Sequence, residues 1–154
     1  THLIRRFLGF ITARPLGPRE QAEVVDLLTQ DEAVLFWRQH PADQRHALEV
    51  ARRAWQLRPG SRLLARAGLL HDIGKSDVNL GAIGRSLATV LEALHVPLPD
   101  RMARYRAHGE LGAVTLEAAG VEDLIVAFAR VHPDPAPAGF DQADWAALLE
   151  ADHT

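Results

Sequence analysis

Proline and glycine recur along this chain at helix-length intervals, and the residues between them favour helix. Pro15 and Gly17 close a first segment, and Pro18 suits the first turn of a helix running to Leu28. Asp31 is expected to cap a short helix carrying Val34, Leu35 and Trp37. Pro41 opens a helix that reaches Leu57 and stops at "RPG". Ser61 is placed to cap a helix carrying Leu63, Leu64, Ala67 and Leu70. "SDVNLGAIG" reads as a loop, followed by a helix to Leu94 and a break at "VPLPD". Helices are then expected over His108 to Ala119, Val121 to His132 and Ala143 to Asp152. Ala, Leu, Arg and Glu dominate throughout and β-branched runs are short. The pattern predicts one all-α domain, a bundle of roughly eight or nine helices. Residues 1–40 read as a helical extension packed on a core formed by residues 41–154.

The chain's 154 residues are enough to bury a core. Its net charge of −3 makes no case for a DNA partner. No apolar run reaches the about 20 residues that span a bilayer. The opening "THLIRRFLGFI" reads as an amphipathic surface helix, and a cytoplasmic location is the expectation. Phe7, Phe10, Phe36 and Trp37 stand at helical spacing and are expected to pack rather than dock a partner. Oligomeric state is left open. Cysteine is absent, which removes disulfides, thiolate zinc sites and thiol nucleophiles. Any metal must therefore be held by imidazole and carboxylate.

The stretch "LLHDIGK", Leu69 to Lys75, ends an apolar run with His71 directly before Asp72. A carboxylate at the inner edge of an apolar stripe is costly to bury without a partner, and a cation is one. Four more helices bring a His or Asp to the edge of such a stripe. His46 precedes Val50, Ala54 and Leu57 at helical spacing. His108 shares a face with Leu111, Gly112 and Thr115. His132 follows Val121, Ile125 and Phe128, and Asp152 follows Trp145 and Leu148. One inward histidine is ordinarily a hydrogen-bonded core residue, the reading given to His2, His40, His95 and His153. Four histidines and two aspartates together form an N/O ligand set suited to Fe, Mn, Zn, Co or Ni rather than Ca.

The order His46, His71-Asp72, His108, His132, Asp152 resembles the HD superfamily of metal-dependent phosphohydrolases. "HDIGK" resembles its HDIG and HD-GYP branch, "AHGELGAVTLEAAG" that branch's "HPEIGA"-type helix, and "LLEADH" its closing Asp helix. The resemblance runs from His46 to the C-terminus and implies an HD-type helical bundle with two divalent transition-metal ions, iron or manganese first, then zinc, cobalt or nickel. It implies that His46, His71, Asp72 and Asp152 hold one ion. Asp72 then bridges to a second ion held by His108 and His132. A bridging water or hydroxide is the implied nucleophile, with Asp72 as the catalytic bridge. Lys75 is implied to meet a substrate phosphate, beside the alternative of a solvated loop lysine, and Gly74 is expected to let the backbone turn so that Lys75 faces the site. Arg101, Arg104 and Arg106 are candidates for a phosphate-binding rim beside the alternative of a solvated helix face.

The chain departs from the family pattern in three places. His132-Pro133 stands where HD-GYP proteins carry paired histidines, "PAPAGF" stands in place of the GYP signature, and Ala42 stands where three-metal members carry a carboxylate. Two metals are therefore expected rather than three. Asp144 and His153 are alternatives to Asp152 as ligand, and Asp134 reads as a turn residue near the pocket. The implied activity is cleavage of a phosphoester in a small phosphorylated substrate, a nucleotide or cyclic dinucleotide. The alternatives are a di-iron oxygenase of the same superfamily, as in myo-inositol oxygenases, and a non-catalytic sensor or binding module.

Overall fold

Where each helix begins is decided by local hydrogen-bond chemistry. In the computed structural model, which describes residues 14–77 and 107–153, helix α1 spans Pro18–Leu27. Glu20 reaches back to accept from the Gly17 N–H at 2.8 Å. Helix α2 spans Gln30–Trp37. Its cap is Thr29, not Asp31. Thr29 Oγ1 accepts from Glu32 N, and Glu32 Oε2 accepts from Thr29 N at 2.8 Å, a reciprocal pair that Asp31 has no residue to complete. Helix α3, Pro41–Leu57, starts at its proline as expected. Helix α4, Arg62–Leu70, is capped by Ser61.

His71 ends α4, and a 3₁₀ turn, Ile73–Asp77, follows where a loop was expected from Ser76 onward. Helix α5 spans His108–Ala118 and closes at Gly120, whose φ of 68° is a left-handed conformation that glycine adopts without strain. Helix α6 spans Asp123–Val131 with Glu122 and His132 as its flanking residues. Helix α7 spans Gln142–Asp152, with the Asp141 carboxylate accepting from Asp144 N at 2.8 Å. The fold is all-α, and no strand occurs among the described residues. No helix among them is long and apolar enough to cross a membrane. Phe7, Phe10, the expected helix to Leu94 and the three arginines Arg101, Arg104 and Arg106 lie outside the described residues.

One buried cluster joins these helices. Ala47, Leu48, Val50, Ala51 and Ala54 of α3 meet Leu64, Ala67, Leu69 and Leu70 of α4. Ile125, Phe128 and Ala129 of α6 and Trp145, Leu148 and Ala151 of α7 close over them. The helices before residue 41 supply Val24 and Phe36 to the same cluster, and both are fully buried. Trp37, which meets Phe36 edge-on, is 36% exposed. Arg45 holds the incoming chain against α3, donating to Glu20 and to the carbonyls of Arg14 and Pro15. Arg66 bridges Glu32 of α2 and Glu122 at the head of α6.

Three crossings depend on glycine because the backbones nearly touch. A Cβ on Gly68 would lie 2.8 Å from Ala51 Cα, so α3 and α4 approach as closely as they do only with hydrogen there. A Cβ on Gly109 would lie 2.7 Å from the Arg130 carbonyl oxygen, where α5 meets α6. The third, Gly74, belongs to the site.

Candidate metal centre

Five helices converge on a single point of the bundle, four of them by an end. His71, at the end of α4, and the following Asp72 are buried there, with side chains 0% and 3% exposed. His46 comes from α3, His108 from the first residue of α5, His132 from the end of α6 and Asp152 from the end of α7. All six candidate ligands read from the sequence are brought together. They compose three overlapping groups that can hold a metal ion: His46, His71 and Asp72; His71, His132 and Asp152; Asp72, His108 and His132. In each, the ligand atoms lie within 4.8 Å of one another.

Asp72 stands between two sets of histidines. Its Oδ2 lies 3.4 Å from His71 Nε2, and its Oδ1 lies 3.3 Å from His108 Nε2 and 3.6 Å from His132 Nε2. Asp152 Oδ1 lies 3.1 Å from His46 Nε2 and 3.3 Å from His71 Nε2. The carboxylates thus gather the cluster into two overlapping halves, linked by Asp72 and by the His71 and His132 rings, whose centroids lie 5.0 Å apart.

The backbone sets which face each ring turns inward. His71 Nδ1 donates to the Gly68 carbonyl at 2.9 Å, and His132 Nδ1 donates to the Phe128 carbonyl at 2.8 Å. Both bonds follow from helical spacing, and both leave Nε2 aimed at the carboxylates. A ring nitrogen held this way is the usual support for a metal-binding imidazole. Phe128 stacks on His132 with ring centroids 5.3 Å apart, and Trp145 meets Phe128 edge-on at 5.3 Å. Trp145 Nε1 donates in turn to the Asp134 carbonyl.

The donor set fits a cation. Among the described residues, the buried His71 Nε2 and Asp72 Oδ1 find no hydrogen-bond partner, although carboxylate and imidazole atoms surround them. Buried polar groups are nearly always satisfied, and acceptors facing acceptors are satisfied by a positive ion. The metal-free charges agree. Burial works against an imidazolium at His71, but the Asp72 charge and the nearby Asp152 carboxylate outweigh it and push His71 up to about 10. Burial likewise opposes charge on Asp72, yet His71, Lys75, His108 and His132 hold it well below the usual carboxylate range. Asp152 is held low against its own burial by His46 and His71. The site is built to keep carboxylates ionised inside the bundle and to balance them with positive charge.

Other sequence candidates fall elsewhere. Asp144 pairs with Arg58 at 2.5 Å, His153 is exposed past the end of α7, and Asp134 is an exposed turn residue. Lys75 donates to Asp72 Oδ2 rather than pointing past it. Gly74 has no left-handed φ. Its role differs from the expected turn: a Cβ there would lie 1.9 Å from the His108 carbonyl oxygen and 2.6 Å from Gly112 N. The missing side chain lets the start of α5 rest on the 3₁₀ turn and brings His108 to Asp72. Gly109 and Gly112, both in the first turns of α5, are the sequence signal for this close approach. Comparison with protein-family models, with curated proteins and with solved structures gives no match.

Proposed function

We propose that this chain is a metal-dependent phosphohydrolase that cleaves a phosphoester of a nucleotide or cyclic dinucleotide. The observation that carries the reading is Asp72, a buried carboxylate whose two oxygens face different histidines while Oδ1 and His71 Nε2 lack hydrogen-bond partners among the described residues. Two divalent ions, iron or manganese first, would supply Lewis acidity and a water acidified toward neutral pH. His46, His71, Asp152 and Asp72 Oδ2 would hold one ion, and Asp72 Oδ1, His108 and His132 the other. The Gly68 and Phe128 carbonyls keep the imidazoles aimed. His46, Asp152 and His108 are only partly buried, whereas His71 and Asp72 form the floor, so a substrate approaches over the first three. Among the described residues, Lys75 sets a positive side chain against Asp72 at the floor, where a phosphate oxygen would be met.

The same four histidines and two aspartates also suit a di-iron oxygenase, and one experiment separates the readings. Protein purified without chelator is analysed for metal and assayed for hydrolysis of bis(p-nitrophenyl) phosphate with added manganese. About two ions per chain with turnover supports the phosphohydrolase. Two irons with dioxygen-dependent chemistry and no hydrolysis replaces it with the oxygenase. Metal-free, inactive protein after reconstitution makes the chain a binding module.

A further inference from the structure

The chain has 17 basic residues, of which sixteen are arginine and one is lysine. That lysine is Lys75. Its ammonium donates to Asp72 Oδ2, the carboxylate oxygen that faces His71. Its backbone N–H donates to the Asp72 carbonyl at 3.0 Å, so the 3₁₀ turn fixes the main chain while a four-carbon stem carries the charge. Asp72 Oδ1 points the other way, to His108 and His132.

We propose that Lys75 is the site's resident counter-cation: it holds Asp72 Oδ2 in the metal-free protein, and a divalent ion entering among His46, His71 and Asp152 takes that oxygen and turns Lys75 toward an anionic ligand. The inference rests on the metal-centre reading and adds a switch to it. An ammonium and a divalent ion repel strongly when both contact one carboxylate oxygen inside the bundle. A compact point charge on a flexible stem can withdraw without leaving a gap in the packing. An arginine in its place would grip Asp72 with a planar fork and give it up less readily, which accounts for lysine at this one position of an arginine-rich chain. The side chain is 20% exposed, so it already lies between the floor of the site and solvent. Loading of the first ion and presentation of a phosphate-binding charge are thereby one event.

The single ε-amine makes the test direct. Lys75 is acylated at limiting reagent in the presence of chelator or of manganese, and the modified peptide is quantified by mass. Manganese is expected to speed Lys75 modification several-fold; an unchanged or slower rate overturns the switch. Lys75→Met, checked for helix content by circular dichroism, is expected to bind the first ion roughly tenfold more tightly by calorimetry, the effect of removing one adjacent like charge. Equal or weaker binding overturns the switch, and if the variant does not fold, the acylation rates on the unmodified chain decide. Failure of the unmodified protein to bind any metal overturns the metal centre itself. Metal binding with no change at Lys75 overturns only the switch.

Discussion

A methyl group on Gly74 would sit 1.9 Å from the carbonyl oxygen of His108. The neighbour is backbone, so no rotamer change relieves the clash, and the start of α5 must move. Gly74→Ala is expected to cost about 2–3 kcal/mol in chemical denaturation, the upper part of the range for overpacking. It should also separate the two halves of the cluster. His108 retreats while His46, His71 and Asp152 stay, so metal analysis is expected to fall to one ion per chain. Retention of two ions would mean that His108 is not positioned by this contact.

The two oxygens of Asp72 turn toward different halves of the cluster. Asp72→Ala is expected to abolish binding of both ions and all hydrolysis, with far-ultraviolet circular dichroism close to that of the unmodified protein. Full metal occupancy in this variant would sink the bridging role.

Protonation of the metal-free site gives stability a defined pH window. His71 is raised in the folded state from 6.5 to about 10, so its contribution is complete below pH 6.5 and is lost as pH rises toward 10. Asp72 and Asp152 are lowered from 3.8, so theirs is complete above that value and is lost as pH falls. Chelated protein is therefore expected to be most stable between roughly pH 4 and 6.5 and to weaken steadily on the alkaline side. Metal must displace a proton from His71, so affinity is expected to climb over the same alkaline range. Urea midpoints in chelator and metal titrations, each at pH 5.5, 7.5 and 9.5, check both slopes. A metal affinity independent of pH would contradict the imidazolium.

Away from the site, Arg66 binds Glu32, which is only 2% exposed, and Glu122. Arg66→Met strands a buried carboxylate. Removing one partner of such a pair is expected to destabilise by about 3 kcal/mol. Metal stoichiometry should be unaffected, since none of the three residues touches the cluster. Calorimetric unfolding of the chelated variant measures the first, and elemental analysis the second.

Much of this arrangement is legible in the chain. His46, His71, His108, His132 and Asp152 each end or edge a helical stripe, and stripes that share a core must bring their ends together. Helix starts at Pro18, Pro41 and Ser61 are written in residues that act locally. What escapes a linear reading depends on distance across the fold. Gly74 looks like a turn glycine until α5 is seen resting on it. Asp31 looks like a cap, but Thr29 wins because Glu32 stands three residues further on and completes the pair. The pairing of Arg66 with Glu32 joins residues 34 apart in sequence, and no periodicity encodes it. Lys75 reads in the sequence as a phosphate ligand, and its hold on the Asp72 carboxylate is visible only in the folded chain.

The ring stack behind His132 has an optical consequence. Trp145 is fully buried and meets Phe128, which lies flat against that imidazole, while Trp37 and Trp55 are exposed on other helices. A transition-metal ion on His132 would drain the excited state of this inner indole, whereas aqueous iodide reaches the outer two. The light that survives iodide therefore becomes a native gauge of filling at His108 and His132, readable without a dye, a label or a substrate.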